Sequence, residues 1–259
     1  MQYIYYSSHM HTRTKIICTI GPSTDSYKTI EKLALAGMNV ARINMSHADR
    51  KSAKKIISNV NKFNNNNDYK IAILLDTQGP EIRTGDRELP IDLKLGDMVS
   101  LTVRDEVDVE ISSIKINYKD LIKSVKKGSR VSVDNGLINF EVISKDHETL
   151  ECKVLDGGKL GSKRHVNLPG VRINLPSITA KDIDDIQFGI TQKVDFIALS
   201  FVRDASDIDD LKKVLKSQSK KVKIISKIED REGLSNIEDI CMVSDGVMVA
   251  RGDLGIETD

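Results

Sequence analysis

Lys227, Glu229 and Asp253 offer the plainest chemistry in this sequence. Lys227 and Glu229 lie at the end of one apolar run, Val222–Ile228, and Asp253 follows a second, Val247–Ala250. Two carboxylates suit a hard divalent cation such as Mg2+, which takes oxygen ligands, usually one or two carboxylates plus substrate phosphate. A neighbouring ammonium places positive charge where a transferring phosphoryl group is negative. Gly252 lets the backbone come close to a ligand. The plainer alternative is that each charge merely opens a solvated loop. Three of them at the ends of neighbouring strands favour a site. On residues alone this reads as a metal and an anion at a rim, with no substrate specified.

These groups need strands to hold them. Between the two runs, Arg231–Ile240 has helical spacing, so the stretch reads as strand, helix, strand, a parallel βαβ unit. Parallel strands are buried on both faces, which leaves their carboxyl ends as the place for charge. Ligands bind at those ends in barrels and open α/β sheets alike.

The same rhythm runs through the first third of the chain. Lys15–Ile20 reads as a strand closed by Gly21-Pro22, and Ser26–Ala36 as a helix stopped at Gly37. Met38–Ile43 is a second strand leading to Arg42, Asn44, Ser46 and His47. Asp49–Phe63 reads as a basic amphipathic helix with a solvated lysine face, followed by a polar loop over Asn64–Asp68. Lys70–Leu75 is a third strand ending in Asp76, Thr77 and the turn Gly79-Pro80.

From about Thr84 to Ser177 the pattern changes to alternating segments, Val99–Val103, Arg130–Val133 and Leu137–Val142, broken by Gly96-Asp97, Asn135-Gly136 and Asp156-Gly157-Gly158. Asn-Gly between apolar runs is a strong hairpin signal. His147 and His165 fall here without a second metal ligand at a useful spacing, so both are expected at the surface. After Pro176 the β/α rhythm returns. It gives a helix Ala180–Gln192, a strand Val194–Val202 and a helix Asp204–Gln218 capped by Asp204 or Ser206.

The expected fold is α/β. A body formed by residues 1–82 and 180–259 carries an inserted all-β lid at 83–179. The body has six strands, whereas a (β/α)8 TIM-type barrel has eight and takes about 250 residues. Two architectures fit: a six-stranded open sheet, or such a barrel truncated after its sixth strand. The second is adopted, with the chain stopping at Asp259 directly after that strand and no helix following it.

Composition excludes several classes. The 259 residues carry 39 basic and 38 acidic side chains, a net charge of +1, which gives no reason to expect nucleic acid or an anionic membrane as partner. Aromatics make up 4% and tryptophan is absent, which argues against base-stacking platforms. Cys18, Cys152 and Cys241 are scattered and odd in number, as in a reducing compartment, without a disulfide framework or zinc motif. Cys18 and Cys241 are expected as small core residues. No apolar run reaches membrane-spanning length. Residues 1–12 read as a flexible lead in which Ser8-His9-Met10 looks like an expression scar, and His9 and His11 carry no role.

Seven stretches, in order from residue 14 onward, resemble the pyruvate kinase family. They are TKIICTIGPS (14–23), GMNVARINMSH (37–47), LLDTQGPEIRTG (74–85), LPSITAKD (175–182), DFIALSFVR (195–203), KIISKIE (223–229) and GVMVARGDLGIE (246–257). The set is specific where no single motif would be, and the hairpin-rich insert sits where the family has its lid.

The resemblance implies a kinase passing phosphoryl from phosphoenolpyruvate to ADP, giving pyruvate and ATP in glycolysis. This chain would be the enzyme's N-terminal part, cytoplasmic, and a homotetramer when intact. Glu229 and Asp253 would hold Mg2+ (or Mn2+). Lys227 and Arg42 would act on the phosphoryl group. Gly252, Asp253 and Ser200 would contact the substrate, with Phe201 lining the site. Asn44, Ser46, Asp76 and Thr77 would hold K+, and Glu81 accompanies K+ dependence in the family. Asn44, His47, Arg83 and Lys181 would bind the nucleotide. Gln78 replaces the family's usual lysine and removes a charge near the lid hinge. The competing reading is a catalytically silent fragment that binds metal, nucleotide or a complementing chain. A lyase-type barrel with a metal-bound enolate is a third, which the lid and the DTQGPEIR stretch argue against.

Overall fold

The computed structural model describes residues 13–104, 113–171, 173–216 and 221–257. The lead at 1–12, with His9 and His11, and the positions Gln218 and Asp259 lie outside the described residues.

The chain opens with β1 (Ile16–Thr19), α1 (Tyr27–Leu35), β2 (Met38–Asn44), α2 (Arg50–Asn66) and β3 (Ala72–Asp76). Each helix begins where a side chain can satisfy free backbone N–H groups. Ser26 accepts from Thr29 N and Asp49 from Ser52 N. Helix α2 buries Ala53, Ile56, Ile57, Val60 and Phe63, a stripe at three- and four-residue spacing, and runs three residues past the expected end into the asparagine-rich loop.

The inserted region holds β4 (Ile91–Leu93), β5 (Met98–Thr102), β6 (Ser113–Lys115), α3 (Leu121–Ser124), β7 (Arg130–Val133), β8 (Ile138–Lys145), β9 (Thr149–Asp156), β10 (Gly158–Leu160) and β11 (Val166–Asn167). It is not wholly β, since α3 contributes one helical turn. At the β7–β8 hairpin Asp134, Asn135 and Gly136 all have positive φ, as a tight turn of matching twist requires.

The chain then returns through α4 (Ala180–Thr191), β12 (Phe196–Leu199), α5 (Ala205–Leu215), β13 (Lys223–Ile228), α6 (Arg231–Ser235), α7 (Ile237–Val243), β14 (Gly246–Val249) and α8 (Arg251–Glu257). Three expectations are corrected here. The fourth body strand is four residues, not nine, because Ser200 N turns to Thr77 Oγ1 and Phe201 adopts a left-handed backbone with φ 53°. The single helix over 231–240 is two, broken at Asn236, whose side chain instead donates to Arg203 O. A helix, α8, does follow the sixth strand.

The body strands form one parallel sheet in the order β1-β2-β3-β12-β13-β14. Their order follows the chain without reversal. A doubly wound open sheet would reverse at a switch point, so this is barrel-type winding. Among the described residues no strand pairs with the outer edge of β1 or β14, and Ile16, Ile17, Val247 and Val249 are exposed along these edges. The insert makes a second sheet, β11-β7-β8-β9-β5-β6, and a β10–β4 pair.

Two separate hydrophobic clusters follow. One joins Ile20, Ile43, Phe63, Leu75, Ile197 and Ile228, and the other Ile82, Leu101, Phe140, Val154 and Leu168. Cys152 lies in the second, where burial pushes its thiol up to about 12. Cys241, expected in a core, is exposed on α7, and Cys18 is half-buried.

Gly79 lets the outgoing crossing to the insert pass close over β12. Its φ is +75°, and a Cβ there would meet Ser200 Cβ at 2.8 Å and the Phe201 ring at 3.0 Å. Gly79→Ala should therefore destabilise the chain by about 2–4 kcal/mol, from left-handed strain plus overpacking. Urea unfolding checks this, and an unchanged midpoint would refute the close approach. One carboxylate holds both crossings. Asp182 Oδ1 accepts from Gly79 N at 3.0 Å, while Oδ2 accepts from Thr179 N and Oγ1 in the box that starts α4.

Candidate active site

Side chains alternate along a strand, so residues two apart share a face. This places Lys227 beside Glu229 and Arg42 beside Asn44 at the carboxyl ends of β13 and β2. Register aligns Asn44 with Asp76 on β3, and Asp76 with Ala198 on β12. The ends of β2, β3, β12 and β13 thus meet at one mouth.

A buried ion network joins them. Lys227 Nζ lies 3.0 Å from Glu229 Oε1, 3.1 Å from Asp76 Oδ1 and 2.7 Å from Ser200 Oγ. Asp76 is fully buried and its Oδ2 accepts from Arg42 Nε at 2.6 Å and Nη2 at 2.5 Å. The remaining Arg42 nitrogen, Nη1, donates to Thr19 Oγ1. The Ser200 hydroxyl donates to Thr77 O at 2.7 Å. Glu229 Oε2 accepts from Phe201 N at 2.7 Å, a bond that the left-handed Phe201 backbone makes available.

Burial alone would lower the Lys227 pKa, but the charges of Glu229 and Asp76 outweigh it and the net shift is upward, so Lys227 stays an ammonium. Burial raises the Glu229 pKa against the pull of Lys227 and Phe201 N–H, and the nearby Asp253 charge adds to the rise.

Above this network is a cleft of about 300 Å³ lined by Arg42, Asn44, Ser46, His47, Ser200, Phe201, Lys227, Glu229 and Asp253 from the body. The inserted domain supplies the opposite wall through Arg83, Asp134, Asn135, Lys163, Arg164 and His165. Asp253, in the first turn of α8, is half-buried and has no side-chain hydrogen bond or ion pair among the described residues. Glu229 and Asp253 therefore open on one space. Each Glu229 oxygen has a single partner and so has lone pairs to spare. No group of three or more His, Cys, Asp or Glu side chains among the described residues is placed to hold a metal ion by itself. Two carboxylates beside an anion-sized cleft are the donor set Mg2+ commonly uses, and they fit it.

Other expected site residues are distributed differently. Asp76 and Thr77 lie beneath the cleft, engaged by Arg42, Lys227 and Ser200. Ser46 N donates to Asn44 Oδ1 at 3.0 Å. Lys181 is outside the cleft. It bonds Met45 O and Asp185 and lines an adjoining cavity with Gln78 and Thr179. Gly252 is exposed and does not line the cleft. Arg83 pairs with Glu81, to which Gln78 also donates.

His147 is exposed as expected, whereas His165 is half-buried. It lines the cleft with its ring 6.2 Å from that of Phe201. Burial lowers its pKa, opposed by Glu81 and Asp253. Asp134, Asn135, Lys163 and Arg164 were not anticipated as cleft residues. The Asn135-Gly136 turn marks the hairpin but not how far it reaches.

The sequence model described as "Pyruvate kinase, barrel domain" matches residues 11–259. The chain belongs to the pyruvate kinase family. It is 48% identical over 246 residues to the protein named plastidial pyruvate kinase 2 of Arabidopsis thaliana, covering 95% of this chain and 42% of that one. It is 48% identical over 246 residues to pyruvate kinase isozyme G, chloroplastic, of Nicotiana tabacum, covering 95% and 44%. It is 48% identical over 249 residues to pyruvate kinase of Staphylococcus saprophyticus, covering 95% and 42%. The chain thus spans about two fifths of the length of the curated relatives it matches. The pyruvate kinase barrel domain accounts for the barrel-type winding of its six body strands. No helix among the described residues is long and apolar enough to cross a membrane.

Proposed function

We propose that the cleft serves phosphoryl transfer from phosphoenolpyruvate to ADP, as the names of the relatives suggest. One observation carries the reading: a buried ammonium, Lys227, held at about 3 Å between Glu229 and Asp76 and facing a cleft that also contains Asp253, which is unpaired among the described residues. Such a group is preorganised to stabilise charge on a phosphoryl in transit, and its two carboxylates keep it protonated. Arg42, steered by Asp76, adds a second positive group on the same side. Ser200 fixes the ammonium, and Phe201 orients Glu229. Glu229 and Asp253 would hold Mg2+ (or Mn2+), which when bound supplies charge neutralisation between substrate oxygens.

Asn44, Ser46, Asp76 and Thr77 are the proposed K+ set, and Asn44, His47, Arg83 and Lys181 the nucleotide set. For Asp76 and Lys181 the present partners would have to be shared or exchanged. Gly252 and Asp253 would present first-turn N–H groups, which have no acceptor within a helix, to the substrate carboxylate. The separate clusters of buried side chains support treating 83–179 as a lid on a body of 1–82 and 180–259. A cytoplasmic setting and a homotetramer of the intact enzyme belong to the same proposal.

The two sheet edges left unpaired among the described residues and the two-fifths coverage favour a second reading, a piece that completes its site with another chain. A coupled assay with phosphoenolpyruvate, ADP, Mg2+ and K+ tests both. The chain alone should give only trace turnover, and the remaining barrel of a pyruvate kinase supplied in trans should restore it. Full turnover by the chain alone would overturn the second reading, and none in either arrangement would overturn the first.

A further inference from the structure

A second group of buried and half-buried acceptors lies where the inserted domain meets the body, apart from the cleft. Asn167 on β11 is 2% exposed, and its Nδ2 donates to Glu257 Oε1 on α8 at 2.9 Å. A carboxylate offers only acceptors at neutral pH, so it turns the amide N–H towards itself and the carbonyl oxygen away. That oxygen, Asn167 Oδ1, is the one buried side-chain polar atom without a hydrogen-bond partner among the described residues. Native proteins rarely leave such a group unmatched.

Glu257 is 8% exposed and makes no ion pair among the described residues. Burial raises its pKa, the Asn167 N–H opposes, the charges of Asp230 and Asp253 add to the rise, and Arg231 opposes. Asp230, the cap of α6, uses Oδ1 to accept from Gly233 N. Asn167, Asp230 and Glu257 line one narrow cavity of about 30 Å³, which has room for a single ion or water. Asp230 and Glu257 also line a wider neighbouring space of about 290 Å³. Arg203 borders both spaces and Arg231 the wider one. But Arg203 bonds Asp207 and the carbonyls of Ile173 and Leu175, and Arg231 Nε donates to the Glu257 main-chain carbonyl.

We propose that Asn167 Oδ1 and the carboxylates of Asp230 and Glu257 form a cation site that ties β11 of the inserted domain to the body. Two carboxylates and an amide oxygen are an all-oxygen set whose two negative charges match a hard divalent ion. The ligands come from three separate elements. Ca2+ tolerates the resulting irregular geometry, whereas Mg2+ demands near-ideal octahedra. This site is distinct from Glu229 and Asp253 and does not depend on the reaction assigned to the cleft.

The test is calorimetric titration with Ca2+ alone, using the full chain carrying Asp253→Asn to break the cleft's carboxylate pair. One Ca2+ should bind. Adding Glu257→Gln, which keeps an acceptor for Asn167 Nδ2 and so preserves packing, should weaken binding at least tenfold. Adding Asn167→Asp instead supplies a third carboxylate and should tighten it severalfold. No uptake of Ca2+ by Asp253→Asn would mean that a water fills the cavity and would overturn the site. So would an affinity indifferent to both residue 257 and residue 167.

Discussion

Lys227→Met should lower the unfolding free energy of the chain by about 3–5 kcal/mol, the scale for stranding buried charge by removing its partner. Lys227 is the cation that Asp76 and Glu229 share. Without it, two buried carboxylates face each other across a low-dielectric gap, and the cation left in the network is Arg42, on the far oxygen of Asp76. Urea unfolding measures the loss. A second change, Glu229→Gln, should recover part of it by removing one of the stranded charges.

The pH dependence has a definite sign. A lysine whose native pKa is raised contributes stability fully below its unfolded value, about 10.4, and loses it as pH rises through the native value. The difference between parent and variant should therefore persist as pH rises through neutrality and shrink in strongly alkaline solution, and it should also shrink in acid as the stranded carboxylates take up protons. A difference already shrinking as pH rises through neutrality would show that Lys227 is not the shared cation. In the assay with the remaining barrel supplied, the same substitution should cut turnover at least about 100-fold, the scale for losing one preorganised charge-stabilising group.

Glu229→Gln and Asp253→Asn should each weaken Mn2+ binding in the cleft by more than about 100-fold. That exceeds the 10–100-fold typical of groups that only orient a metal's ligands. Free Mn2+ counted by electron paramagnetic resonance reads this directly and needs no turnover. Both carboxylates line the cleft, and the Asp253 charge is felt at Glu229. The two substitutions differ in their structural cost. Asp253 is half-buried without a partner among the described residues, so Asp253→Asn should leave the urea midpoint unchanged, while Glu229→Gln disturbs the Lys227 network. Mn2+ bound equally by Asp253→Asn and the parent would reject the assignment.

Periodicity located every body strand because parallel strands announce themselves as short apolar runs, and the charges at their ends were visible as breaks in those runs. The Asn135-Gly136 turn was equally readable, since a tight hairpin requires residues that accept positive φ. What stayed hidden depended on contacts between distant segments. Phe201 leaves its strand because Ser200 N finds Thr77 Oγ1 and its own N–H finds Glu229, 28 residues further on. Asn236 breaks a helix that its neighbours would support, by reaching Arg203 O. His165 sits in a run with no site-like spacing and faces the cleft only because the second sheet folds over the first. Asp182 reads as an ordinary helix-start residue, and nothing near it in sequence points to Gly79.

That aspartate has an engineering consequence. Outgoing and returning crossings meet at a single side chain, so the polypeptide between them is a cassette plugged into one socket. Exchanging it for another of different size, with junctions kept at Gly79 and Thr179, should leave the parallel sheet and the start of α4 undisturbed, and offers a route to retuning which molecules gain entry without rebuilding the scaffold beneath.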